Sequence, residues 1–193
     1  MALNTDSAIE YAWIILGVVW ILGLLFTKQT VRAQTWGTRL FQTAVAALGF
    51  VLLSGNCREW FPYGWLFGRF APHTAAIADV AVLLTVAGCG FAIWARLTLG
   101  RNWSGRVTVK ADHELVTRGP YAIARHPIYT GFLIAILGTA LAVGQWRGMV
   151  ALAVILMAFV LKMAQEEKMM MQTFPSAYPE YRRRVKALIP GVF

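Results

Sequence analysis

Apolar residues in this chain come in long runs. Five lie at about 9–26, 40–53, 77–97, 128–145 and 149–163. A membrane-crossing helix needs roughly 20 predominantly apolar residues, so the pattern predicts an all-α integral membrane protein with five transmembrane helices. The second run is short, and "SGNCREWFPYGWLFGRF" after it either continues the helix or lies along the membrane interface. Only "GQWRG" separates the last two runs, which predicts a tight helical hairpin over 128–163.

Polar, non-periodic sequence collects between these runs. In 97–125, "RVTVK" alternates like a strand, and Gly105 and the Gly119-Pro120 pair mark turns. After the fifth run, "AQEEKMMMQ" continues the helix, and Phe174-Pro175 and Tyr178-Pro179 are expected to break it. The loop over 54–76 carries Trp60, Phe61, Tyr63, Trp65, Phe67 and Phe70. So many aromatics read as a belt at the membrane surface, and a substrate-binding role for them is the lesser alternative. No internal repeat or low-complexity tail is present. The chain reads as one domain over 1–193, with three spans in 1–98 and a second half, 99–193, that carries the hairpin and a polar tail.

Composition agrees with the pattern. Of 193 residues, 58% are hydrophobic and the mean hydropathy is +0.57, above an ordinary soluble domain. The start, "MALNTDSAIE", has two acids and no Lys or Arg, unlike a cleaved leader, so the first run is expected to stay as a span.

Charge then orients the bundle. Lys28, Arg32 and Arg39 lie between runs one and two. Arg96, Arg101, Arg106, Lys110, Arg118 and Arg125 lie between three and four. Lys162, Lys168, Arg182, Arg183, Arg184 and Lys186 end or follow run five. These fifteen of the 18 basic residues fall on one side. Their excess predicts a cytoplasmic C-terminus and, over five crossings, an outer N-terminus. The net charge of +9 is explained by membrane flanks and anionic lipid, and no nucleic-acid motif accompanies it. Cys57 and Cys89 form no metal or redox pattern, and no metal partner is expected.

Three polar segments should meet at the cytoplasmic end of the last two helices. In "RHPIY" (125–129), Pro127 suits the first position of a helix, where its missing N–H costs nothing. It fixes where loop becomes helix, and without it the helix should extend backward through Ala124 and Arg125. The free N–H groups of that first turn favour an anion, and His126 and Tyr129 share one face. A plain helix start with interfacial aromatics explains this stretch equally well. Upstream, "HELVTRGPY" (113–121) offers His113 and an apolar wall of Leu115 and Val116; alone, His113 reads as a solvated loop residue. Glu166 and Glu167 lie at the end of an apolar helix, where carboxylates oppose the dipole and are costly near lipid. Lys162 precedes Glu166 by one turn, and a surface ion pair is the modest reading of the two. Together the segments supply carboxylates, a helix N-terminus and aromatic faces. Those features suit a zwitterionic amino acid bearing a sulfonium, as in S-adenosylmethionine.

"LGRNWSGRV", "HELVTRGPY", "RHPIYTG" and "EEKMMMQTFPSAYPEYRRRV", in that order, resemble the isoprenylcysteine carboxyl methyltransferase family, which is related to membrane phospholipid methyltransferases. The resemblance covers about 99–190; the first half is similar mainly in hydropathy. It implies S-adenosylmethionine as cofactor, S-adenosylhomocysteine as product, and a lipophilic methyl acceptor entering from the bilayer. It implies cofactor contacts at His113, Glu114, Leu115, Val116, Gly119, Tyr121, His126, Pro127, Ile128, Tyr129, Glu166 and Glu167. Where a typical member has arginine one turn before the glutamate, this chain has Lys162, which keeps the charge but loses the bidentate fork.

A carboxylate acceptor is already ionised and needs no base, and Lys162 or Arg182 would orient it. An amine acceptor must lose a proton, with Glu167 or His126 as base. Two other classes compete. Sterol reductases share an "RHPxY"-like segment but use a nicotinamide dinucleotide and are usually longer. A non-catalytic membrane protein or transporter is disfavoured because no span has a charge in its middle and no repeat suggests a transport path.

Overall fold

A computed structural model of the chain describes residues 4–25, 30–33, 36–54, 59, 64–100, 103, 108–110 and 115–191. The apolar runs fold as helices α1 (Thr5–Leu24), α2 (Trp36–Ser54), α3 (Ala75–Leu99), α4 (Pro127–Val143) and α5 (Trp146–Thr173). By length and composition α1, α3 and α5 can each cross a bilayer, while α4 and the apolar stretch of α2, Leu40–Ser54, are shorter. The protein is a helical integral membrane protein. Lipid-facing residues such as Ile15, Ile21 and Leu83 are more than half exposed, which suits a hydrocarbon surround.

The ends of the helices follow local chemistry. Asn4 caps α1 by accepting from the Ser7 amide at 2.8 Å, and Thr74 caps α3 by accepting from Ile77 at 3.3 Å. Gly144 ends α4 with φ +63°, a left-handed turn that a side chain would strain. Helix α5 begins two residues later, so the expected hairpin forms. The Gly68 carbonyl accepts from Trp146 N–H, and the Gly144 carbonyl accepts from Phe70 N–H. These bonds tie part of the aromatic loop to the hairpin turn. Residues 55–58 of that loop, which include Cys57, and residues 60–63 lie outside the described residues.

The deepest packing is a seam of small residues between α3 and α4. A Cβ on Gly131 would lie 2.6 Å from the Ala92 amide nitrogen, and one on Gly138 would lie 2.6 Å from the Ala81 carbonyl. Ala81, Thr85, Gly88 and Ala92 thus meet Gly131, Ala135 and Gly138 backbone to backbone. Such small-residue spacing suits helices that gain nothing from apolar burial in lipid. The hydroxyl of Thr85, buried in the seam, donates to the Ala81 carbonyl at 2.8 Å. Leu52, Leu53, Ile136 and Ile155 form a second core that joins α2 to the hairpin.

The fold is all-α apart from one short ladder, in which β1 (Thr30–Ala33) pairs antiparallel with β2 (Thr108–Lys110). The strand read in "RVTVK" is present over Thr108–Lys110, and its partner comes from the loop between α1 and α2, a pairing too remote for local alternation to reveal. One feature corrects the sequence reading: Pro179 does not break a helix. It sits in the first turn of a short helix, α6 (Ala177–Arg184), where a proline removes no helical hydrogen bond.

Candidate functional site

Pro127 opens α4, as its fixed φ allows, and is fully buried. The residues just before it are held by the C-terminal tail. Arg125 N–H donates to the Lys186 carbonyl at 2.8 Å, and His126 N–H donates to the Ala187 carbonyl at 2.9 Å. Thr130 Oγ1 donates to the Leu188 carbonyl at 2.9 Å. Leu188 itself packs with Tyr129 and Met163, with Ile128 against the same cluster. Backbone pairing and burial therefore dock the tail on the start of α4.

That docking brings α4, the end of α5 and α6 onto one cluster. His126 lies between both carboxylates, with Nδ1 3.5 Å from Glu166 Oε2 and Nε2 3.3 Å from Glu167 Oε1. Burial disfavours its charged form, but the bonds to Glu166 and Glu167 outweigh burial and raise its pKa above the ordinary 6.5. Tyr129 donates its hydroxyl to Glu166 Oε1 at 2.6 Å. Its ring stacks between His126, at 5.6 Å, and Phe159, at 4.6 Å. The Lys162 ammonium lies 5.6 Å from the same ring.

Glu167 is engaged differently. Arg125 donates to its Oε1 from both Nε (2.9 Å) and Nη2 (2.5 Å), and Arg182 Nε lies 3.3 Å from Oε2. Arg125 also donates from Nη1 to the Val185 carbonyl, so one guanidinium ties α5 to the tail. Tyr178 and Tyr181 of α6 are buried beside this network. Burial, joined by the Glu167 charge, pushes the Tyr178 phenol up. Burial raises Tyr181 to about 12, and its hydroxyl donates to the Tyr121 carbonyl at 2.6 Å.

The structure therefore gathers Lys162, Glu166, Glu167, Arg182, His126 and Tyr129. Tyr121 is buried alongside, in the turn that begins at Gly119 (φ +59°). Leu115 and Val116 are half-buried, while His113 and Glu114 lie outside the described residues. Sequence reasoning missed Arg125 and the tail segment over 185–188. Arg125 stood in the quoted "RHPIY" motif but was counted only as a topology charge. The tail contributes mainly carbonyls, which side-chain patterns do not show. Among the described residues no group of three or more His, Cys, Asp or Glu side chains could hold a metal ion.

The sequence model of the isoprenylcysteine carboxyl methyltransferase family matches residues 81–172, which span α4, nearly all of α5 and most of α3. Protein-S-isoprenylcysteine O-methyltransferase B of Arabidopsis thaliana is 36% identical over 99 residues, 50% of this chain and 50% of that protein. A cobalt-zinc-cadmium resistance protein of Cupriavidus metallidurans is 32% identical over 130 residues, 65% of this chain and 56% of its own length. Among solved structures, a eukaryotic intramembrane Ras methyltransferase of the same family superposes with a TM-score of 0.53 at 25% identity. That match covers 78% of this chain and 52% of the other. The chain spans about half the length of the curated relatives it matches. The family model, the curated relatives and the solved structure agree, and the chain is similar to the isoprenylcysteine carboxyl methyltransferase family over its second half.

Proposed function

We propose that the chain is an S-adenosylmethionine-dependent methyltransferase that acts as a single unit on the carboxylate of a prenylated cysteine or a similar lipophilic acceptor. The observation that carries this reading is the unequal use of the two glutamates. Glu167 is occupied by Arg125, Arg182 and His126. Glu166 is paired with one phenol and one imidazole edge and keeps 24% of its side chain exposed. It is the carboxylate left to meet an incoming ammonium or hydroxyl donor.

The donor set fits the cofactor. Glu166 would take a cationic or hydroxyl group, and Leu115 and Val116 would supply an apolar wall. When bound, the cofactor supplies an electrophilic methyl group. The protein's own part is to hold the acceptor oxygen in line and keep water away. Lys162, one turn before Glu166 and against the Tyr129 ring, would orient an acceptor carboxylate, with Arg182 second. Glu167, held by two guanidiniums, is a poor proton acceptor, so the carboxylate reading stands ahead of amine methylation. Five crossings with the cluster facing the cytoplasm fit the one-sided distribution of basic residues.

The test is a titration of the purified protein in detergent with adenosylhomocysteine and with NADPH, followed by methyl transfer to a prenylated cysteine analogue and to an amino-lipid. Adenosylhomocysteine binding and transfer to the carboxylate are expected. NADPH binding alone would assign a reductase, and transfer to the amine alone would replace the proposed acceptor.

A further inference from the structure

The stripe of α5 next to Glu166 faces a cleft that shares only Arg125, Glu167 and Arg182 with the cluster described above. Val160, Met163, Ala164, Glu167, Lys168 and Met171 recur every three or four residues and line one wall. The tail supplies the other wall, and the volume is about 800 Å³, in the range of small-molecule sites. Glu166, His126 and Tyr129 do not line it. Four cations face it, Arg125, Lys168, Arg182 and Lys186, against the single carboxylate of Glu167. That carboxylate is already taken by Arg125 and Arg182. Lys168 and Lys186 are exposed and form no ion pair among the described residues. Toward the apolar part of α5, the same cleft presents Met163, Ala164 and Val160, the last 39% exposed.

We infer that this cleft seats an anionic phospholipid, with its phosphodiester against Lys168 and Lys186, Arg182 at the rim, and an acyl chain along Val160, Met163 and Ala164. Charge and shape select this occupant. A free anion leaves the apolar wall without a purpose, and a neutral lipid leaves two lysines uncompensated at the end of a membrane-crossing helix, where basic residues attract anionic lipid. The methyl acceptor must reach Glu166 and Lys162, which lie on the neighbouring stripe beyond the Arg125–Glu167–Arg182 bridge. The tail that forms the far wall also pins the start of α4, so a bound lipid would brace the cluster from its Arg125–Glu167–Arg182 side without reaching Glu166, His126 or Tyr129. The assignment is independent of the methyl acceptor.

Native mass spectrometry of the full chain in neutral detergent tests it, with phosphatidylglycerol, phosphatidylcholine and inorganic phosphate as probes. Phosphatidylglycerol should be retained about tenfold over phosphatidylcholine. The Lys168→Gln/Lys186→Gln variant should lose that preference, and Arg118→Gln should keep it. Adenosylhomocysteine binding, read in the same samples, should be unchanged by both and reports that the variants are folded. Should the double variant fail to fold, Lys168→Gln alone must lower the preference several-fold. Equal retention of the two lipids, or a preference that survives loss of both lysines, overturns the inference. Displacement of phosphatidylglycerol by millimolar phosphate would make this a free-anion site, and displacement by a prenylated cysteine analogue would make it the acceptor's own; either result overturns the proposal.

Discussion

Each end of the α4–α5 hairpin holds a partly buried arginine, and the two are used in opposite ways. At the turn, Arg147 donates to the Leu52 and Leu53 carbonyls and to Gln145 Oε1. Its donors cap the end of α2 on two backbone carbonyls. At the open end, Arg125 meets the Glu167 carboxylate and a tail carbonyl, inside a cluster with His126, Glu166 and Arg182. A cation surrounded by carbonyls closes a structure. A cation that shares carboxylates with an imidazole and a second guanidinium leaves one of those carboxylates available. The same residue type thus marks a sealed end of one hairpin and the end that carries the candidate site.

Removing each arginine is the strongest way to break that contrast. Arg125→Ala should cost about 3 kcal/mol, the low end for breaking a buried pair, because Arg182 and His126 still reach Glu167. It should also weaken adenosylhomocysteine binding, since the tail loses its anchor. Arg147→Ala should cost about 2 kcal/mol through orphaned carbonyl contacts and leave ligand affinity alone. Thermal midpoints in detergent and ligand titrations on both variants check this, and equal effects on affinity would erase the distinction.

The next effect isolates the open carboxylate. Glu166→Gln keeps a hydrogen-bond acceptor for Tyr129 but removes the charge. Adenosylhomocysteine affinity should fall roughly ten- to a hundred-fold, as for one charge-assisted contact, with little change in thermal midpoint. Unchanged affinity in the folded variant would move the pocket away from Glu166.

How much of this contrast the sequence showed depends on what kind of contact carries it. The hairpin was readable because two apolar runs flank a five-residue break, and its open end stood out because glutamates beside lipid are expensive. The α3–α4 seam was not readable, since glycine and alanine within an apolar run look like filler until a partner helix touches their backbone. The strand pairing of Thr30–Ala33 with Thr108–Lys110 links segments too distant for local alternation to connect. Arg125 was hidden by its own usefulness as a topology marker. The tail's carbonyls at 185–188 have no side-chain signature at all.

A smaller effect sharpens the comparison through pH. The raised pKa of His126 comes from Glu166 and Glu167, which favour imidazolium in the folded state. A folded pKa above the unfolded one stabilises most below the unfolded value, and the contribution fades as pH rises through the folded value. Stability should therefore decline as pH climbs above about 6.5. The decline should vanish in His126→Gln and persist in Arg147→Ala. Thermal midpoints across that interval read it directly, and a slope that survives in His126→Gln would place the titrating group elsewhere.

The smallest expected effect is at Pro127. Sequence alone suggests that alanine here would let α4 wind backward and swing His126 away. The structure opposes this, because the amides of Arg125 and His126 are already donated to the Lys186 and Ala187 carbonyls. Backward extension would have to break both bonds, so the tail holds the helix start even without the proline ring. Pro127→Ala should cost about 1–2 kcal/mol through a small buried void and a looser unfolded chain. Methyl transfer should drop less than about tenfold, short of the roughly hundred-fold loss that a 1 Å misplacement brings. Hydrogen exchange at the Arg125 and His126 amides should stay slow. Fast exchange there with a hundred-fold slower enzyme would show that the proline, rather than the tail, sets the geometry of the open end.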